Sequence, residues 1–172
     1  LELFEGCGVH ATFFTLGWVA ERCPALVRDI AAAGHEVASH GFGHERLTQI
    51  NRAQFRDGIV RTKQLLEDIS GSPVRGYRAP SWSIGPTTLW AHEELREAGY
   101  HYSSSIVPIR HDLYGMPQAP RFAFVAGPSG LLEVPATTVR FWGRNWPCGG
   151  GGFFRLLPYS LFSRGLKRVN RK

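Results

Sequence analysis

The strongest constraint on this chain is a repeated punctuation: a helical stretch closes on glycine, a short apolar strand follows, and a polar loop comes next. The glycines are Gly8, Gly34, Gly71 and Gly99. Glycine just past a helix end takes the left-handed conformation that terminates the helix without a Cβ penalty. Residues 1–7 read as the tail of a helix and 9–15 as a strand, where Ala11-Thr12-Phe13-Phe14 is apolar on both faces, as in a buried parallel strand. A helix with Pro24 in its first turn and Leu26, Val27, Ile30 and Ala31 as its apolar stripe leads to a strand over 35–39. The next helix covers 52–69, capped by Asn51, with Phe55, Ile59, Leu65, Leu66 and Ile69 inward, and precedes a strand at 74–78. A fourth helix over 86–98, with Leu89, Trp90 and Leu95 inward, precedes a strand at 100–103. Strands alternating with helices at this spacing build βαβ units around a parallel sheet. After Arg110 the rhythm fails. Residues 111–128 are loop-like, 131–135 read as one more strand, and a glycine run over 149–152 leads into an apolar, basic tail.

With 172 residues, 43% of them hydrophobic and 20% charged, the chain has the composition of one folded domain with a sizeable core, which excludes disorder. It holds no run of about 18 apolar residues, so no spanning helix is expected. The net charge of +6 owes much to Arg164, Lys167, Arg168, Arg171 and Lys172 at the C-terminus. The plain reading is a solvated helix face, the sharper one contact with an anionic polymer or membrane surface. Aromatic and basic residues do not interleave as nucleic-acid binding requires, so no nucleic-acid partner is expected. Cys7, Cys23 and Cys148 form neither a CxxC pair nor a disulfide framework.

In parallel α/β folds, functional groups gather where strands end, and three segments lie there. In Ser39-His40-Gly41-Phe42-Gly43-His44, two imidazoles four residues apart can converge on one metal if the loop turns into a helix. A hydrogen-bonded loop pair explains them as well, and a catalytic zinc needs a third ligand. In Arg78-Ala79-Pro80-Ser81-Trp82, the Arg fork suits a carboxylate, Pro80 stiffens the turn and Trp82 offers a stacking wall. A surface Arg and a core Trp fit that segment equally. Ser103-Ser104-Ser105 lacks the GxSxG elbow of a serine nucleophile and reads as a polar strand-end turn. His10 and His35 sit at strand starts, His92 reads as a solvated helix residue, and His111 as a loop hydrogen-bonding group.

Taken together, these segments resemble the polysaccharide deacetylase family, the NodB-homology domain of carbohydrate esterases. The ATFF strand, Gly34-His35-Glu36-Val37-Ala38-Ser39-His40, the histidine pair and Arg78-Ala79-Pro80-Ser81-Trp82 are similar to the family's motifs in order and context. Ser104-Ser105-Ile106 with Pro108, residues 111–115 and residues 149–159 are similar to the branch associated with exosortase and exopolysaccharide loci. The resemblance implies a partial, distorted (β/α) barrel, with a deacetylase domain over 1–140 lacking its first strand and a glycine-rich, basic extension over 141–172. It implies hydrolysis of N-acetyl groups on amino sugars of a bacterial exopolysaccharide, with a divalent ion, zinc by preference, held by His40 and His44. Arg78 would orient a catalytic aspartate, and Pro80 and Trp82 would line the sugar groove. The family's aspartate motif and its acid histidine match no residue here, so a fragment with weak or no activity is expected. The alternative is a non-catalytic carbohydrate-binding or scaffold protein on the same fold. The branch also carries Asp where this chain has Ser103.

Overall fold

The computed structural model describes residues 1–171. Four short strands, β1 (Thr12–Thr15), β2 (Glu36–Ser39), β3 (Gly76–Tyr77) and β4 (Tyr102–Ser103), lie side by side and parallel. Beyond them β5 (Phe124–Ala126) pairs antiparallel with β6 (Leu131–Glu133), and it is β6 that joins β4 in parallel. The order β1-β2-β3-β4-β6-β5 is an open arc of a (β/α) barrel. The helices between the first four strands are α2 (Gly17–Arg22) and α3 (Pro24–Ala32), then α4 (Arg52–Ser70), then α5 (Ala91–Glu97); α1 (Glu2–Gly6) precedes them.

The longest of these, α4, shows why the sequence folds as it does. Asn51 and Gln54 cap it reciprocally: each side-chain oxygen accepts the other's backbone N–H at 2.9 Å. Gly71, at φ 66°, closes the far end. Phe55, Ile59, Thr62 and Leu66 recur at helical spacing and are buried against the sheet. Each apolar member contributes roughly 1.5–3 kcal/mol by leaving water. Lys63 donates to the Val74 carbonyl at 2.8 Å and Glu67 accepts from Val74 N at 2.9 Å, which ties the end of α4 to the approach of β3. Replacing Asn51 with alanine is expected to cost about 1 kcal/mol in urea denaturation, and Asn51→Asp far less, because aspartate keeps the acceptor. An unchanged midpoint for Asn51→Ala would contradict the capping role.

Across the sheet, Tyr77 and Tyr100 meet edge to face at 5.8 Å, and the Tyr100 hydroxyl donates to the Ile59 carbonyl at 2.9 Å. Gly76 is required beside them, since a Cβ there would fall 2.2 Å from the Tyr102 ring.

Several expectations are corrected. The stretch before β2 is two helices, α2 and α3, and Leu26 faces solvent while Val27 and Ile30 are buried. Residues 86–90 lie outside any helix, so Leu89 belongs to no helix face and is 42% exposed. The loop expected over 111–128 contains β5. The tail holds a hairpin, β7 (Thr138–Phe141) with β8 (Arg144–Pro147), followed by α6 (Gly151–Leu156) and α7 (Tyr159–Asn170). Arg164, Lys167 and Arg168 are exposed along α7 and Arg171 just beyond it, whereas Lys172 lies outside the described residues. Among the described residues no helix is long and apolar enough to cross a membrane.

Candidate active site

The backbone ladder continues one rung past each strand. Thr15 O accepts from His40 N at 2.9 Å, Ser39 O from Arg78 N at 2.9 Å, Tyr77 O from Ser104 N at 2.8 Å, and Ser103 O from Val134 N at 2.8 Å. His40, Arg78, Ser104 and Val134 therefore stand in a row at the C-terminal ends of parallel strands, each on rigid backbone, with Glu133 one residue behind, level with Ser103.

His40 and His44 come together, with ring centroids 5.1 Å apart at 72°. The loop does not become a helix, the route to convergence expected from the sequence. It reverses through two left-handed residues, Gly41 at φ 79° and His44 at φ 69°. The first N–H groups of α2 hold it, since Gly17 N donates to Gly41 O and Trp18 N to Phe42 O, both at 3.0 Å. The Nδ1 of His40 lies 2.7 Å from the carbonyl of Arg78. A carbonyl only accepts, so Nδ1 carries the proton and Nε2 presents its lone pair. Burial lowers the pKa of His40; the Arg78 carbonyl opposes this, while the charges of His44 and Arg78 add to it. The neutral imidazole that a metal requires is thereby favoured. The donor set fits a borderline divalent ion as two imidazole nitrogens. Among the described residues no three His, Cys, Asp or Glu side chains gather closely enough to hold one.

Arg78 is held on both sides. Its Nε donates to Ser104 O at 2.9 Å and its Nη2 to Ser104 Oγ at 2.7 Å. The guanidinium carbon lies 4.1 Å from the Phe14 ring centroid and 5.0 Å from that of Trp82. Burial lowers its pKa, against the raising influence of Tyr102 and Glu133. Pro80 is buried, whereas Trp82 is half-buried and sits in a strained turn, with Ser81 at φ 53° and Trp82 at φ 56°. A cleft of about 450 Å³ separates Trp82 from Leu113 and Tyr114 on the opposite loop. The structure thus gathers His40, His44, Arg78 and Trp82 at one end of the sheet, and Pro80 is buried there. His111 lies in the loop beyond that cleft and accepts from Leu113 N at 3.1 Å, the loop role expected of it. His35 is buried at the start of β2, remote from this end.

Two residues went unrecognised in the sequence. Glu133 is fully buried and accepts from Ser105 N at 2.7 Å and Ile106 N at 2.8 Å through one oxygen. Its other oxygen meets His92 Nε2 at 3.1 Å. His92 is therefore 4% exposed and not solvated, because α5 packs that face onto β6. Burial pushes the Glu133 carboxyl up, but His92, Ser103 and the two backbone N–H groups outweigh it and hold the pKa below the usual value. Strand alternation was the available signal, since Leu131 and Glu133 share one face.

A family profile described as polysaccharide deacetylase matches residues 1–103, and one described as a domain of unknown function (DUF3473) matches 104–172. A peptidoglycan deacetylase from Helicobacter pylori is 32% identical over 62% of this chain and 36% of its own length. A peptidoglycan-N-acetylglucosamine deacetylase from Bacillus cereus is 36% identical over 55% of this chain and 34% of its own length. The chain thus spans about a third of the length of these curated relatives. Among solved structures, a candidate polysaccharide deacetylase from Mycobacterium smegmatis is 30% identical, with a TM-score of 0.64 over 82% of this chain and 44% of its own. An allantoinase, 20% identical, matches the fold with a TM-score of 0.63 over 96% of this chain and 53% of its own.

Proposed function

The chain belongs to the polysaccharide deacetylase family, and from that premise we propose that its strand-end row is part of the active site of a zinc-dependent deacetylase acting on N-acetylated amino sugars of a bacterial exopolysaccharide. The observation that carries this reading is the His40–Arg78 hydrogen bond, which aims a neutral imidazole nitrogen outward beside His44. The names of the relatives, which act on peptidoglycan and on chitooligosaccharides, support the N-acetyl glycan class.

His40 and His44 would hold the ion through one ring nitrogen each. Once bound, such an ion supplies Lewis acidity toward the acetamide carbonyl and toward water. Arg78, with part of its donor fork unused among the described residues, would fix a catalytic carboxylate by a charge-assisted pair. Trp82, across the cleft from Tyr114, would pack against a sugar face and exclude water from it. By the family resemblance the proton transfers fall to an aspartate and a histidine that no residue of this sequence matches.

Acetate release from N-acetylated oligosaccharides tests the reading. The whole protein is expected to release acetate, to stop on chelation and to recover with Zn²⁺. The 172-residue chain is expected to be slower by roughly 10²–10⁴-fold for each proton-transfer group it lacks. A protein that binds the glycan and never releases acetate would instead be a non-catalytic binder.

A further inference from the structure

We propose that Glu133, held by His92, is a positioning residue for Arg78: a buried counter-charge that fixes the strand end carrying Ser104 and leaves the outer edge of the Arg78 guanidinium open to a ligand. This rests on the deacetylase reading only for what that ligand does.

Three observations carry it. First, Ser104 is the sole acceptor of the Arg78 fork among the described residues, through both its carbonyl and its hydroxyl. The two residues that follow Ser104 are the ones whose N–H groups Glu133 holds. Second, the same segment is stitched sideways to the Arg78 backbone. Ser105 Oγ accepts from Ala79 N at 2.9 Å and from Ser103 Oγ at 2.8 Å. The carboxylate thus anchors a short polar strand end that grips Arg78 by its side chain and Ala79 by its backbone. Third, among the described residues no carboxylate touches the Arg78 guanidinium. Two of its five donors are engaged. A half-buried cation without a direct partner is costly, and a negative charge one layer away lowers that cost without occupying the fork. A direct salt bridge would hold Arg78 equally well and would fill the donors a ligand needs. The influence of Glu133 on the Arg78 pKa agrees in sign. His92 completes the arrangement by donating to the second carboxylate oxygen, which leaves neither oxygen bare in the core.

Glu133→Gln removes the charge and keeps the shape, and Glu133→Asp keeps the charge. The readout is hydrogen exchange of the Arg78 side-chain Nε–H, followed by ¹⁵N NMR in the 172-residue chain, with circular dichroism to check the fold. Glu133→Gln is expected to accelerate exchange about tenfold, the effect of weakening one charge-assisted hydrogen bond. Glu133→Asp is expected to stay within about threefold of the wild type, because it retains the charge. Wild-type exchange in Glu133→Gln, or equal acceleration in both variants, would overturn the proposal. If Glu133→Gln does not fold, His92→Gln carries the test: faster exchange supports the proposal and unchanged exchange overturns it. Zn²⁺ titration of the wild-type chain separates the two claims. No binding at His40 and His44 counts against the deacetylase reading alone, and the Arg78 measurement stands without it.

Discussion

Zinc affinity is expected to fall by at least ~100-fold when His40 is replaced by alanine, more than the loss of a hydrogen-bonding partner behind a ligand causes. The pair supplies two imidazoles, and removing one leaves His44, an exposed residue on a left-handed turn, as a single weak ligand. Arg78→Ala is the informative companion. It deletes the guanidinium but keeps the carbonyl that locks the His40 proton on Nδ1, so it is expected to cost tenfold or less, the lower end for such partners. Competition with a chromophoric chelator measures both. If His40→Ala binds zinc like the wild type, the pair is not a metal site and the deacetylase reading falls with it.

The largest loss of stability is expected at Tyr100. Its side chain is wholly buried, packs edge to face on Tyr77 and closes a hydrogen bond to Ile59 O. Tyr100→Ala removes the ring from between α4 and β3, opens a cavity and leaves the Ile59 carbonyl without that donor. The expected cost is about 3–5 kcal/mol in urea denaturation. Tyr100→Phe keeps the ring and loses only the hydroxyl bond, at about 1 kcal/mol. If the two variants unfolded at the same midpoint, the ring would not be the source of the stability.

What was legible in the sequence follows the range of the interactions. The bounds of α4 could be read because Asn51, Gln54 and Gly71 act on their own neighbours. The histidine pair and Arg78 could be placed because parallel strands deliver their ends to one edge. The side chains of Leu26, Leu89 and His92 were misplaced because their surroundings depend on which element packs over them. Leu26 lies on the face of α3 away from the buried Val27 and Ile30, the late start of α5 frees Leu89, and β6 closes over His92. The three-residue β5 is too short to show a period, and the β7–β8 hairpin alternates on a surface that remains largely exposed. Glu133 was missed because an acid at a strand end reads as solvent-facing until its donors, more than 25 positions away, are known.

The order of the strands also bears on how the molecule is assembled during synthesis. Up to β4, each strand pairs with the one made just before it, so a growing chain can add them in turn as they emerge. Then the sequence is interrupted: β5 is made before β6 yet lies outside it, and must wait for the later strand to slot in beside β4. The serine-rich strand end at 103–105 is therefore synthesised before the carboxylate that secures it.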